Sequence, residues 1–353
     1  MHASLSLGLS CTPSWTASKP IAAADLINQL MPWYNGLAAS YPNLRLFCSH
    51  PSATTKQYVQ DFVEDSAKLG PADTRKPGAI LNLPDGSMFR PDYVVLAVGM
   101  GMERVHLIDG TENQSNCVKG LPFWDNDDFK VNPRMDWHAG VFGGGDGALQ
   151  DVLRLLTPFD HPLDFIDALR APPGKIGSRL DKVVPELDTI EQQSRLLHTW
   201  SKDVYELIDS KCQRIAGHFA TEPVVIERVL ELLRPGVGTV FHVHRGEHFT
   251  KAYLLNRFCV HLIEICLAHR SPAGRVAYER IKNVSAKSGA VRASGQSEVT
   301  LDNGRRLVLD RVAVRFGANR ADLVNRQLIK LAPNTQADRT SLAGIPLPYL
   351  VAQ

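Results

Sequence analysis

The stretch Ala139-Gly-Val-Phe-Gly-Gly-Gly-Asp-Gly-Ala-Leu-Gln-Asp-Val-Leu-Arg154 constrains the fold more than any other part of this 353-residue chain. A short apolar run leads into a glycine cluster, and helical periodicity follows, so the segment reads as strand, tight turn and helix. Gly143, Gly145 and Ala148 fall at G-x-G-x-x-A spacing, with Gly144, Asp146 and Gly147 between them. The first glycine permits the tight turn, and the second lets a backbone approach a pyrophosphate. The small alanine lets helix and strand pack closely, and the helix N-terminus turns free N–H groups toward an anion.

Other segments agree with an α/β chain. Tyr93 to Val98 is a continuous apolar run, as expected of a strand buried on both faces. Thr239 to His244 and Val312 to Phe316 are further strands, and Ala79 to Leu83 and Ser87 to Arg90 flank Asp85-Gly86 as a hairpin. Leu44 to Cys48 is a short strand candidate. Helical periodicity marks Ala22 to Ala39, where Pro32 introduces a kink, and Lys56 to Leu69. It also marks Leu187 to Phe219, Val224 to Leu233, Lys251 to His269 and Asp322 to Leu331. Glu103 to Asp136 reads mostly as loop, Pro158 to Gly177 as a Pro-rich junction, and Val276 to Leu309 as a β-meander with an Asn303-Gly304 turn.

A net charge of +2 carries no polyelectrolyte signal, which argues against nucleic acid as a partner. The most apolar stretch, Phe258 to Ala268, is short and contains His261 and Glu264, so no membrane span is expected. Met1 to Ser10 has neither a basic n-region nor a long apolar core, so no secretory signal is expected. Six cysteines without CxxC or zinc-finger spacing do not form a disulfide scaffold, which points to a reducing cytoplasm.

Four separated segments together resemble the two-dinucleotide-domain flavoprotein superfamily, the group that includes thioredoxin reductase. Gly143 to Ala148 is similar to that family's nicotinamide-nucleotide turn. Val243-His244-Arg245 resembles the end of its second nucleotide-domain strand, whose basic residues reach the 2′-phosphate of NADPH. Pro91-Asp-Tyr-Val-Val-Leu-Ala-Val-Gly99 and Leu309-Asp-Arg-Val-Ala-Val-Arg-Phe-Gly317 resemble its two recurring D-x-V-apolar-x-x-G strands, which close the flavin half and the nucleotide half. The order along the chain also agrees, over about residues 80 to 320.

The resemblance implies a Rossmann-like NAD(P)-binding domain over residues 136–330, with a helical insertion at about 158–235. It also implies a partial FAD-type region over 1–135 and a C-terminal tail over 331–353. The implied activity is an NAD(P)H-dependent oxidoreductase, or its NADP(H)-binding portion, passing hydride to a flavin. NADP(H) is the expected cofactor, with FAD as the redox partner. The implied cofactor-binding residues are Gly143, Gly144, Gly145, Asp146, Gly147, Ala148, His244, Arg245, Gly99 and Gly317.

The departures are equally specific. No G-x-G-x-x-G precedes Tyr93, the family's closing flavin-contacting segment is not apparent in Lys330 to Gln353, and the redox CxxC is missing. The chain is therefore expected to be the distal part of a longer or split flavoprotein, or to have lost flavin. A separate FAD-domain chain, or a protein partner at the helical insertion, is an expected interaction. About 90 residues separate Ala148 from Val240, where a compact Rossmann unit needs one helix.

Two other readings stay open. The same glycine segment resembles the first motif of spermidine-synthase-like aminopropyltransferases and methyltransferases, with Asp146 near an S-adenosyl nucleoside. Those enzymes carry an acid after the next strand to hold the ribose, and the nearest acidic apolar run here, Leu163 to Asp167, reads as a helix start. A catalytically inactive nucleotide-binding sensor is the other. His242, His244 and His248 lack a fourth ligand at suitable spacing, and the acidic loop Asp125 to Asp128 fails the EF-hand pattern, so no metal is expected. No G-x-S-x-G, P-loop or H-E-x-x-H occurs, and no catalytic acid, base or nucleophile is assigned. The small-molecule substrate is unassigned.

Overall fold

The computed structural model describes residues 103–317, apart from 112, 124–128, 130–133, 172–173 and 197–201, together with Pro32, Gly36, Leu81–Asn82 and Met88–Phe89. The expected helix at 56–69, the strands at 44–48 and 93–98, Gly99 and the helix at 322–331 lie outside the described residues, as does most of the helix at 22–39. The chain divides into two compact units, one formed by Met1–Val98 with Ala321–Gln353 and the other by Gly99–Arg320. In the first, Leu81–Asn82 pairs antiparallel with Met88–Phe89, the two arms of the hairpin expected from sequence, and Asp85-Gly86 lies outside the described residues.

The second unit is α/β. Its strands are β1 (Ala139–Phe142), β2 (Thr239–His244), β3 (Ala277–Lys282), β4 (Ala286–Val291), β5 (Ser297–Leu301), β6 (Arg306–Leu309) and β7 (Arg311–Val314). Its helices are α1 (Asp146–Leu156), α2 (Pro162–Arg170), α3 (Lys175–Leu196), α4 (Lys202–Phe219), α5 (Pro223–Glu231) and α6 (Leu254–His269). A four-stranded, wholly parallel sheet has the order β3-β2-β1-β7, and β4-β5-β6 form a separate antiparallel sheet. The register places Val141 between His242 and Ala313, so β1 is the strand on which both halves of the sheet meet.

Strand alternation sorts the side chains into two cores. Ala139, Val141, Val240 and Ala313 face the helices, where they join Ala148, Leu149, Val152, Phe258, Leu262 and Ile263. Phe142, Val243 and Val314 face the meander and pack with Val299, Leu301, Leu307 and Leu309. Gly140 belongs to that second face, because a Cβ there would lie 2.5 Å from Leu309 Cδ1. Helix α6 is buried around most of its circumference, as expected for a helix enclosed by a sheet and by α1, α4 and α5.

Two segments differ from their sequence reading. The proposed junction at 158–177 contains α2 and the start of α3. Pro162 occupies the first turn of α2, where its missing N–H is no loss, and His161 caps the helix by accepting from the Leu163 N–H at 3.2 Å. Pro185 likewise lies inside α3 instead of ending it. In the expected meander at 276–309, residues 277–282 are a parallel strand of the main sheet, and only 286–309 form the meander. The run Ala277-Tyr-Glu-Arg-Ile-Lys282 has no strict alternation, so its pattern does not separate a parallel strand from a meander strand. The turn at Asn303-Gly304 is present, with Gly304 at φ +85°.

Leu309→Ala should lower the unfolding free energy by about 3 kcal/mol, because the side chain is fully buried above Gly140. Urea denaturation checks this, with an unchanged slope expected.

Candidate functional site

The glycine turn leaves the carboxyl end of β1 and enters α1. Gly143 has φ +143°, and a Cβ on it would lie 2.4 Å from the Arg315 carbonyl oxygen, so both conformation and space demand glycine. Its N–H donates to the Val243 carbonyl at 3.0 Å. A Cβ on Gly144 would press on His244, 3.3 Å from its Cβ. A Cβ on Gly147 would lie 3.3 Å from the Phe123 ring and 3.4 Å from the Arg315 side chain. Ala148 is fully buried, as the motif's close helix–strand packing requires. Among the described residues, the Gly144 and Gly145 N–H groups have no hydrogen-bond partner.

The loop that joins β2 to α6, residues 245–253, runs along one side of the turn. Thr250 N–H donates to the Gly144 carbonyl at 2.7 Å, and Asp146 N–H donates to the Lys251 carbonyl at 3.1 Å. Asp146 Oδ1 accepts from the Tyr253 N–H at 3.0 Å and from Asn256 Nδ2. Its carboxylate therefore clamps α1 to α6 and sits in the first helical turn, where the helix dipole favours negative charge. Across the turn, Arg315 Nε donates to the buried Asp151 at 2.7 Å, tying the end of β7 to α1.

Two histidines of β2 lie beneath the turn, and both are neutral. His242 Nε2 donates to the Gly143 carbonyl at 2.7 Å, so Nδ1 accepts from the Tyr278 hydroxyl at 3.0 Å. Burial pushes its pKa down to about 3, with the neighbouring His244 and Arg280 adding to the shift. His244 is lowered to about 4, first by burial and then by Arg280. Its Nε2 accepts from Arg280 Nε at 3.1 Å, which leaves the proton on Nδ1, buried and without a partner among the described residues. Arg245, the next residue, is exposed and has no hydrogen-bond or ion-pair partner among the described residues. Glu247 pairs with Lys282 at 2.7 Å and Glu231 with Arg228 at 3.2 Å, so neither neutralises it.

Deeper in the helical layer, Phe249 occupies a cage of basic and imidazole groups. Arg280 Cζ stands 4.1 Å from its ring centroid, and the rings of His261, His244 and His242 lie at 4.8, 5.4 and 5.5 Å. Beside it the buried Asp209 of α4 accepts from Arg257 at 2.8 Å, His261 at 3.0 Å, the Phe249 N–H at 3.2 Å and His248 at 3.3 Å. Burial alone would raise its pKa, but the His261 hydrogen bond and the Arg257 guanidinium hold it well below the usual carboxylate range.

The structure thus brings Gly143, Gly144, Gly145, Asp146, Gly147, Ala148 and His244 together, with Arg245 at the adjoining strand end. Gly317 lies beyond β7 at φ +80°, where its carbonyl accepts from the Arg104 N–H at 3.0 Å, and Gly99 is outside the described residues. Asp310, read as part of a strand signature, accepts from the His138 N–H at 2.7 Å and so anchors the entry to β1. His242, His244 and His248 do not converge as ligands: both ring nitrogens of His242 are engaged in hydrogen bonds, and His248 turns to Asp209. Asp209, Arg257, Arg280 and Tyr278 went unread in the sequence. The available signal was Arg257, His261 and Glu264 within an apolar helix, because polar groups buried at such positions need partners. No protein-family model matches the chain, and no curated protein is similar to it by sequence.

His242 and His244 have folded pKa values below the ordinary 6.5, so the unfolded chain binds their protons first as pH falls. Their contribution to stability is complete above about pH 6.5 and is lost on acidification, by about 1.4 kcal/mol per pH unit for each histidine. Urea unfolding at pH 7 and pH 5 should show this loss, and His242→Gln should make the dependence shallower. Gly143→Ala should cost at least about 3 kcal/mol, since the Arg315 backbone cannot yield cheaply.

Proposed function

We propose that the Gly99–Arg320 unit binds NADP(H) on the Gly143–Ala148 turn, as the nicotinamide-nucleotide portion of a flavoprotein-like oxidoreductase. The observation that carries this reading is the turn's position. It leaves the carboxyl end of β1 between β2 and β7, where successive connections run to opposite sides of the sheet. In open parallel sheets that crevice is where ligands bind. The order β3-β2-β1-β7 also supports a Rossmann-like reading of the parallel sheet.

The chemistry of the turn fits a pyrophosphate. Two N–H groups, on Gly144 and Gly145, stand at the mouth of α1 without partners among the described residues, and the helix dipole adds to their attraction for an anion. The neutral His244 offers no cation, so a 2′-phosphate would be met by Arg245, whose guanidinium is exposed and unneutralised. Asp146 is committed to Tyr253 and Asn256, which leaves the glycine backbone as the phosphate contact. The bound dinucleotide would supply the hydride, and these residues would bind and orient it. The Gly99–Arg320 unit also lies in the chain between the two segments of the other unit, which accords with a nucleotide half enclosed in sequence by a flavin half.

The S-adenosyl reading is less well supported. The residue that follows β2 is Arg245 and not an acid, and Leu163 to Asp167 lies in α2 and not in a strand. An inactive nucleotide sensor shares the same binding site and differs only in lacking turnover.

Arg245→Ala should weaken NADPH at least about tenfold in a titration of the purified protein, corresponding to a lost charged hydrogen bond, and leave NADH nearly unchanged. Equal loss of both would remove the 2′-phosphate contact. Gly145→Val should abolish binding of both nucleotides without unfolding the chain, because a Cβ there meets only the Lys251 carbonyl, at 3.4 Å, and the Thr250 hydroxyl, at 3.6 Å. Preferential binding of S-adenosylmethionine would favour the transferase reading. Tight NADPH binding with no visible flavin spectrum and no oxidase or reductase activity would favour the sensor.

A further inference from the structure

We infer that Asp209, which belongs to the helical insertion, is the positioning residue that holds residues 248–252 of the loop in shape and thereby seats Thr250 and Lys251 against the glycine turn. This rests on the reading of the glycine turn as the pyrophosphate site. The insertion is then a working part of the nucleotide site.

The argument starts from Arg257, whose guanidinium is fully buried. Its donors go to loop carbonyls: Nε to Ala252 at 3.3 Å, Nη1 to Phe249 at 3.0 Å and Nη2 to Thr250. Those carbonyls are gathered onto one side chain, so the loop's path follows the guanidinium fork. A buried guanidinium needs a counter-charge, and Asp209 Oδ1 supplies it at 2.8 Å. The other oxygen of the same carboxylate takes the Phe249 N–H and His248, so Asp209 grips the loop directly as well as through Arg257. His261 completes the set from α6.

The rest of the loop is tied at its two ends. Arg280 donates to the Glu247 carbonyl at 2.9 Å, and Glu247 itself binds Lys282 and Asn283, at 2.7 and 2.8 Å. At the far end Thr250 and Lys251 bond to the glycine turn. The segment from His248 to Ala252, which carries those two contacts, is gripped from its other side by the Asp209–Arg257 pair. A buried pair of this kind contributes little net stability, because desolvation offsets its Coulomb gain, and what it does contribute is a defined loop conformation.

The test uses the full-length protein with Asp209→Asn and, as a milder variant that leaves no buried charge behind, His248→Ala. Hydrogen exchange read by mass spectrometry should show peptides across 245–253 exchanging about tenfold faster in Asp209→Asn and severalfold faster in His248→Ala, with β1 and α1 unchanged. NADPH and NADH affinity should both fall about tenfold in Asp209→Asn, and the NADPH loss should add to that of Arg245→Ala, whose end of the loop is held by other residues. Loop exchange unchanged in folded Asp209→Asn, exchange rising uniformly over the whole unit, or an affinity loss confined to NADPH would each overturn the inference. Should Asp209→Asn fail to fold, unchanged loop exchange in His248→Ala overturns it. If neither nucleotide binds the unaltered protein, the nucleotide assignment falls, while loop exchange still decides whether Asp209 holds the loop.

Discussion

The arrangement depends on one close approach, that of the Arg315 backbone to Gly143. At that point the chain leaving β7 passes so near the chain leaving β1 that no side chain fits between them. The contact fixes the spacing of the two strand ends and opens the turn toward the carboxyl edge of the sheet. His242 holds the other side of the same residue through its carbonyl, and the Gly143 N–H is taken by β2. One glycine is thus gripped by both neighbouring strands.

Around this point the protein buries several polar and charged side chains. Asp151, Asp209, His242, His244, Arg257 and His261 are all buried in the Gly99–Arg320 unit. Such groups would be costly alone, and each is held in a chain of hydrogen bonds or ion pairs. Two arms emerge. Asp151 and Arg315 secure α1 to β7 on one side of the turn, and Asp209, Arg257 and Arg280 secure the β2–α6 loop on the other. Apolar side chains make up the two cores, and these polar contacts join the loops to them.

Much of the framework was legible in the residues themselves. The glycine spacing together with the apolar run before it identified β1, the turn and α1, because few sequences satisfy the steric demands of a tight strand-to-helix turn. The second strand, Thr239–His244, was also readable from its alternation. Helix α2 was legible only as a helix start at Leu163 to Asp167, because the prolines at 158, 162, 172 and 173 made the surrounding segment read as a junction. Strand β3 was absorbed into the meander because its run Ala277-Tyr-Glu-Arg-Ile-Lys282 lacks the continuous apolar character expected of a parallel strand.

The sequence alone therefore determined an α/β chain with a glycine turn at the head of a helix and an Arg at the end of the next strand. Those features are local, set by periodicity and by the need for residues without side chains. Only the tertiary structure decided that His244 is neutral, that Asp146 faces α6 and that Asp209 lies beneath the loop. Ionisation and hydrogen-bond partnership depend on burial and on neighbours distant in sequence, and Asp209 of α4 reaches the loop from 39 residues before His248.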